Sequence, residues 1–538
     1  MLPSQSSVTE VPRVPRTRDS RFWLSWFVAL LVIVGLRLFV LNIHPIIGQD
    51  EVQIVDGGRT LLNPHSDWSI TWFPQGGPAL ASEYGPLLQE LGFRLSGSPI
   101  GPRTLSLVGA MLAATLLVAW LLSRGVIPRA AWLAGIAFAL DPIFTESYGS
   151  ARIDCWAFAL CFGAAWLVRR PCGPAVRARA DFLAGVLAAL ALAIWPTAPL
   201  LYPLLLTEFL VSGSVELTRK QRLASVTRRV TFAALGGIAA IVVLLAPVLG
   251  RLSAFVDSAR QSVPLNVSAP DAGHSRLVTG MLGVFLPLSR APFLIAAALL
   301  GALLTKERLL LVVTLGCVLF VAATRAYHMR DLYLLPYLIA LATSVLVGMP
   351  KETRRTTARK AAGFLIAGAA TWGFGLSAVV RPWVAWQHRD VRNPAILMAV
   401  AKAEIGPGRH TVLVRPYEFY YAGRQLGWRM FHLFARNDFK DPLYKTLLES
   451  VDYAIVNSSS LDSATLSVLE RSGLKTMSVP PWPSPPAPVR ILGIPAFSDV
   501  DRTYGPYTFF ARTADRESKN QSTAVDSLGR QTPAREHR

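Results

Sequence analysis

Long apolar runs recur along this chain, separated by short polar connectors. A helix needs about 20 predominantly apolar residues to span a bilayer, and residues 22–41, 105–122, 232–249, 309–323, 332–347 and 362–380 approach or reach that length. Backbone groups in lipid must satisfy one another within a segment, so such runs read as helices; the short alternating segments of a β-barrel are absent. Residues 43–103 form a long polar loop after the first run, and residues 145–152 a short loop between runs at 131–144 and 153–168. The segment 182–211 is interrupted at Trp195-Pro196 and Pro199, where proline ends or kinks a helix, and it reads as a tight helix pair. Residues 250–290 include a short interfacial helix at 277–285. Threading these segments gives about eleven crossings.

Beyond Arg381 the pattern changes. Helices at 394–405, 442–449 and 461–471 alternate with short β-rich runs at 411–414 and 452–456, which predicts a small α/β domain. It carries no glycine-rich phosphate loop, so it is expected to hold no nucleotide. A proline-rich connector covers 480–488 and a polar tail closes the chain. The organisation expected is a basic cytoplasmic N-terminus (1–21), a transmembrane domain (22–381), an extracytoplasmic α/β domain (382–511) and a disordered tail (512–538). No internal repeat of the kind that builds many transporters is visible.

Composition agrees with a polytopic α-helical membrane protein: 538 residues, 16% charged, and a positive mean hydropathy. The net charge of +20 could suggest nucleic acid, but its placement excludes that reading. Lys and Arg gather in short connectors, among them Arg169, Arg170, Arg177 and Arg179, then Arg219 to Arg229, then Lys351 to Lys360. That is the positive-inside distribution, and it sets the N-terminus inside and the α/β domain outside. The first run is too long for a signal peptide and lacks a cleavage site, so it reads as a retained anchor. Cys155, Cys161, Cys172 and Cys317 have no metal-ligand spacing and read as structural thiols.

Acidic residues are scarce in the membrane part, which makes their positions informative. Asp50-Glu51 follows the first span. Glu146, Arg152 and Asp154 flank the opening of the fourth. Arg325, His328, Arg330 and Asp331 precede a later one, in Arg325-Ala-Tyr-His-Met-Arg-Asp-Leu-Tyr-Leu-Leu-Pro336. Each has a plainer reading: Asp154 as a helix N-cap, Glu146 as a solvated loop residue, the last cluster as a charged flank with Tyr327 and Tyr333 in the aromatic belt. Arg37, near the end of the first span, reads as a snorkelling side chain. The threading puts all three clusters on one membrane face, where they offer carboxylates for a base and cations for a phosphate.

These stretches resemble the GT-C glycosyltransferases: the Asp-Glu pair in a long first outer loop, the Arg-x-Asp after Asp141-Pro142-Ile143-Phe144, and an element similar to the Arg-Tyr-Leu-Leu-Pro of the protein O-mannosyltransferase and lipid A aminoarabinose transferase branch. Two extra residues separate Arg330 from Tyr333 in that element here. The resemblance implies inverting transfer of a sugar from a polyprenyl-phosphate carrier to a glycan, lipid or protein acceptor, with the α/β domain expected to shape acceptor access and carry no catalysis. Asp50 would then be the catalytic base, with Glu51 shaping the site or holding a metal. Glu146 and Asp154 would form a second acidic wall, and Arg152, His328, Arg330 and Tyr333 would bind the donor phosphate. A divalent cation, Mg or Mn, is the one cofactor this implies. A flippase or transporter of lipid-linked sugars, a ligase or polymerase using related donors, and an inactive relative are the competing readings.

Overall fold

The computed structural model describes residues 20–63, 65–70, 84–211, 218–246, 276–323, 331–348, 353–432, 442–484, 487, 490–491, 494–495 and 502–512. Two regions share it: an apolar helical bundle and a mixed β-sheet. The bundle opens with α1 (Ser20–Val40), and two amphipathic helices follow it, α2 (Gln49–Leu62) and α3 (Tyr84–Ser96). Then come α4 (Ile100–Ser123), α5 (Pro128–Ala139), α6 (Pro142–Gly149), α7 (Asp154–Arg169), α8 (Pro174–Ile194), α9 (Tyr202–Val211) and α10 (Arg219–Leu245). Further apolar helices cover Arg276–Leu288, Pro292–Leu304, Arg308–Ala323, Leu335–Ser344 and Thr353–Gly373.

Among the described residues, four helices are long and apolar enough to cross a membrane: Ser20–Val40, Ile100–Ser123, Lys220–Leu245 and Thr357–Gln387. The pair α6–α7, bent by 118°, makes a fifth if it counts as one broken span. Shorter apolar helices, such as Ala198–Val211 and Arg308–Ala323, supply the rest of the bundle. Large apolar side chains point outward along it, including Leu235, Ile238, Val242 and Val243 of α10 and Val312 and Phe320. Water would penalise such a surface and lipid does not, so the chain is a membrane protein.

Packing inside the bundle uses small residues and a few buried ion pairs. A Cβ on Gly185 of α8 would lie 1.7 Å from the Ala233 carbonyl oxygen, and one on Gly236 of α10 2.0 Å from that of Phe182. Only glycine allows these backbones to approach so closely. The same two helices are joined by Asp181 and Arg229, a fork of two 3.0 Å hydrogen bonds. At the end of α4 distant from its Arg103, Arg124 pairs with Glu208 at 3.0 Å and with Glu307, and Arg169 approaches Glu208 at 3.6 Å.

The sheet has the order β2-β1-β3-β7-β4, with β1 (Thr411–Val414), β2 (Arg429–His432), β3 (Tyr453–Asn457), β4 (Leu474–Ser478) and β7 (Tyr507–Arg512). β1 runs parallel to β2 and β3, whereas β7 is antiparallel to both β3 and β4. A separate hairpin pairs β5 (Arg490–Ile491) with β6 (Ile494–Pro495). One face of the sheet packs on helices Pro442–Glu449 and Ser463–Arg471 through Leu447, Leu448 and Leu469. The other face shares a core with Ile47, Val52 and Val55 of the α2 segment and Phe93 of α3.

Several expectations change. The polar loop 43–103 contains α2 and α3, because its apolar residues recur at helical spacing between polar ones: Val52, Ile54 and Val55 are buried on α2. The short loop 145–152 is largely helix α6, started by Pro142 at its first position and by the Asp141 carboxylate, which accepts from the Ile143 and Phe144 N–H groups. Asp154 is not an N-cap; Ile153 holds that position, and the Asp154 carboxylate turns elsewhere. Arg37 does not snorkel. It is 1% exposed and donates to the carbonyls of Ser377 (3.2 Å) and Thr145 (3.3 Å).

Candidate active site

Asp50 and Glu51 sit in the first turn of α2, where free N–H groups and the helix dipole favour carboxylates. Consecutive helical residues point about 100° apart, and here that separates two roles. The Asp50 side chain is 41% exposed and pairs with Arg152. Glu51 is fully buried, its two oxygens held by Arg103 at 3.0 and 2.7 Å, with the Tyr421 hydroxyl donating to Oε1 at 3.0 Å.

Arg152 is aimed by the sharp turn between α6 and α7. Ala151 adopts φ +53°, the left-handed conformation that a side chain resists by about 1–2 kcal/mol. Strain of that kind persists only where surroundings enforce it. The enforcement is visible: the Arg152 N–H donates to the Ser147 carbonyl at 3.2 Å, and the Ser106 hydroxyl donates to the Arg152 carbonyl at 2.8 Å. Gln89 of α3 in turn donates to Ser106 at 2.6 Å.

The guanidinium so placed bridges two carboxylates. Its Nε donates to Asp154 Oδ2 at 2.8 Å and its Nη1 to Asp50 Oδ2, and its Cζ lies 5.6 Å from the Trp195 ring centroid. Asp154 is fully buried and accepts from the Ser147 hydroxyl at 3.2 Å and, on its other oxygen, from the Tyr333 hydroxyl at 2.9 Å. The cluster therefore unites Asp50, Arg152, Asp154 and Tyr333. Its one open member is Asp50.

The remaining sequence candidates fall elsewhere. Glu146 pairs with Arg290 at 3.0 Å and does not join the cluster. His328 and Arg330 lie outside the described residues. Sequence reasoning missed the groups that arrive from the sheet region. The short helix Tyr420–Leu426 (α11 here) sends Tyr420 to Asp56 at 3.2 Å, Tyr421 to Glu51, and Arg424 to Glu90 of α3 at 2.6 and 3.0 Å. Tyr417 lies beside Gln53 and feels the Asp50 charge; burial pushes its phenol up to about 12. Arg103 had a legible signal, since a lone cation opening an apolar helix needs a buried partner.

Among the described residues, this cluster leaves no free pair of carboxylates for a divalent cation. The Arg152 guanidinium already fills the space between Asp50 and Asp154, both Asp154 oxygens are committed to donors, and Glu146 is engaged by Arg290. No cluster of three or more His, Cys, Asp and Glu suited to a metal occurs among the described residues.

Comparison with solved structures finds the same fold in ArnT from Cupriavidus metallidurans. The form bound to undecaprenyl phosphate matches with a TM-score of 0.59 at 13% identity, covering 92% of this chain and 99% of that one. The apo form gives 0.56 at the same identity and coverage. An oligosaccharyltransferase from Archaeoglobus fulgidus, solved with Zn and sulfate, gives 0.43 over 80% of this chain and 67% of that one, too slight a likeness to build on. No family model and no curated protein matches the chain. The chain therefore shares the fold of ArnT, a fold in keeping with the one the sequence resemblance implied.

Proposed function

We propose that this protein is an inverting glycosyltransferase that moves a sugar from a polyprenyl-phosphate donor to an acceptor on the extracytoplasmic face. In this reading about eleven spans of residues 22–381 carry the donor site, and residues 382–511 lie outside the membrane. The observation that carries it is the guanidinium of Arg152, held between buried Asp154 and half-open Asp50 and flanked by Tyr333. A planar cation preset by a buried carboxylate suits a phosphate, and a carboxylate open on one side suits an incoming nucleophile. The shared fold with a protein solved in complex with undecaprenyl phosphate supports the donor class.

In the proposed reaction the acceptor's O–H or N–H proton passes to Asp50. The freed electron pair attacks the anomeric carbon from the face opposite the phosphate. The bond from that carbon to the phosphate oxygen breaks, and polyprenyl phosphate leaves with the bonding pair. Arg152 meets the charge that grows on the departing oxygen, the place where a fixed donor helps most, while the Tyr333 hydroxyl steadies Asp154 behind it. Arrival of the donor phosphate draws Arg152 away from Asp50, which frees the base in the same event that loads the donor. Asp154 stays buried and holds Arg152 in register.

The purified protein should bind undecaprenyl phosphate, and membranes containing it should release that lipid phosphate from a glycosylated carrier. Failure of both, with protein at normal level, overturns the reading.

A further inference from the structure

The stretch that leads from α1 to Asp50 has no regular structure of its own before Gln49, yet its backbone is pinned at three points. Arg103 donates to the Leu41 carbonyl at 2.8 Å. Arg392, just before the sheet region, donates to the Ile43 carbonyl at 2.9 Å. The Ile47 N–H donates to the Tyr504 hydroxyl at 3.1 Å, across a separation of 457 residues. One residue past Asp50, Glu51 is gripped by Arg103 and by the Tyr421 hydroxyl. Asp50 thus stands between two anchored neighbours, at Ile47 and Glu51, and each anchor includes a tyrosine hydroxyl from beyond residue 420.

Both tyrosines are buried, and burial keeps their phenols above the ordinary range, so neither loses its proton under physiological conditions. Neither touches Arg152, Asp154 or Tyr333 in any hydrogen bond of the cluster. We infer that Tyr421 and Tyr504 are positioning residues: the C-terminal sheet region holds Asp50 at the donor site, instead of merely covering it. The inference rests on the proposed role of Asp50. It also replaces the expectation that this region only shapes acceptor access, because removing it would strip Glu51, Asp56 and Glu90 of buried partners together.

The test uses the full-length protein with Tyr421→Phe and Tyr504→Phe, which keep the rings and remove one hydroxyl each. A lost hydrogen bond to this segment should lower donor turnover about tenfold while leaving undecaprenyl phosphate affinity and donor KM unchanged. In an Asp50→Asn background the same substitutions should cost no further turnover, since they act through Asp50. Loss of phosphate binding in parallel with turnover, or equal losses with and without Asp50, would show a merely structural role and overturn the inference. Hydrogen exchange separates this outcome from failure of the base assignment. Backbone amides of residues 46–52 should exchange at least about tenfold faster in Tyr504→Phe. Unchanged exchange overturns the holding role even if Asp50→Asn is inactive, and faster exchange sustains it even if Asp50→Asn is fully active.

Discussion

Arginines Arg103 and Arg124 mark opposite ends of α4, about 30 Å apart at 1.5 Å per residue, and the networks around those ends contrast sharply. At the Arg124 end, Glu208 and Glu307 are 3% and 23% exposed and both are tied to arginine. Asp181 and Arg229 close on each other through two hydrogen bonds nearby in the bundle. At the other end Arg152 is paired just as firmly to Asp154, but its second partner, Asp50, is 41% exposed. Pairing without access makes a strut. Pairing with access leaves a group that a substrate can compete for.

Substitutions at the two ends should therefore fail in different ways. The largest expected effect is on chemistry: Asp50→Asn keeps the shape but removes the proton acceptor, and should lower donor turnover by about 10²–10⁴-fold. Its melting temperature in detergent should stay near that of the parent, since a half-exposed side chain contributes little to folding. A fully active Asp50→Asn variant would erase the contrast. Next comes the strut: Asp181→Ala takes the carboxylate from buried Arg229, which keeps its bond to the Val168 carbonyl, and should cost about 3 kcal/mol of stability, read as a lower melting temperature with turnover per folded molecule unchanged.

Two smaller effects sharpen the picture within the cluster. Arg152→Ala should weaken undecaprenyl phosphate binding about ten- to a hundredfold, with Arg152→Lys recovering only part because the planar fork is lost. Tyr333→Phe removes one hydrogen bond to Asp154 and should weaken the same binding by about 1 kcal/mol, measurable by titration.

The smallest effect concerns pH. Burial pushes the Glu418 carboxyl up to about 7, above its unfolded value, so the folded state binds the extra proton. Its contribution to stability is complete below the unfolded pKa and is lost as pH rises through about 7. Melting of the parent should decline over that window, and Glu418→Gln should flatten the decline. A parent curve already flat there would remove Glu418 from the account.

Local signals carried much of this architecture. The helix pair split at Trp195–Pro199 was readable because proline fixes φ and lacks an N–H, and the observed breaks fall at Ile194 and in the turn Ala198–Leu201. Strand Thr411–Val414 and helix Pro442–Glu449 were readable for similar reasons of pattern and flanking turn residues. Arg152 and Asp154 drew attention as rare charges beside an apolar helix. The different fates of Asp50 and Glu51 were not readable, because they depend on Arg103, Arg152 and Tyr421, which no local pattern ties to them. Strand β7 was hidden as well: Tyr507–Arg512 finds its partners in β3 and β4, tens of residues earlier, and its own composition says little about where it pairs.

The bond from Ile47 to Tyr504 also has a meaning in time. A ribosome makes Ile47 early and Tyr504 457 residues later, which at roughly 5–20 residues per second is about 20 to 90 seconds. Until then the approach to Asp50 lacks its last fastening, so a nascent or truncated chain that already carries every residue of the Arg152 cluster still holds its carboxylate loosely. Under the proposed role of Asp50, synthesis through Tyr504 would be the event that arms the site.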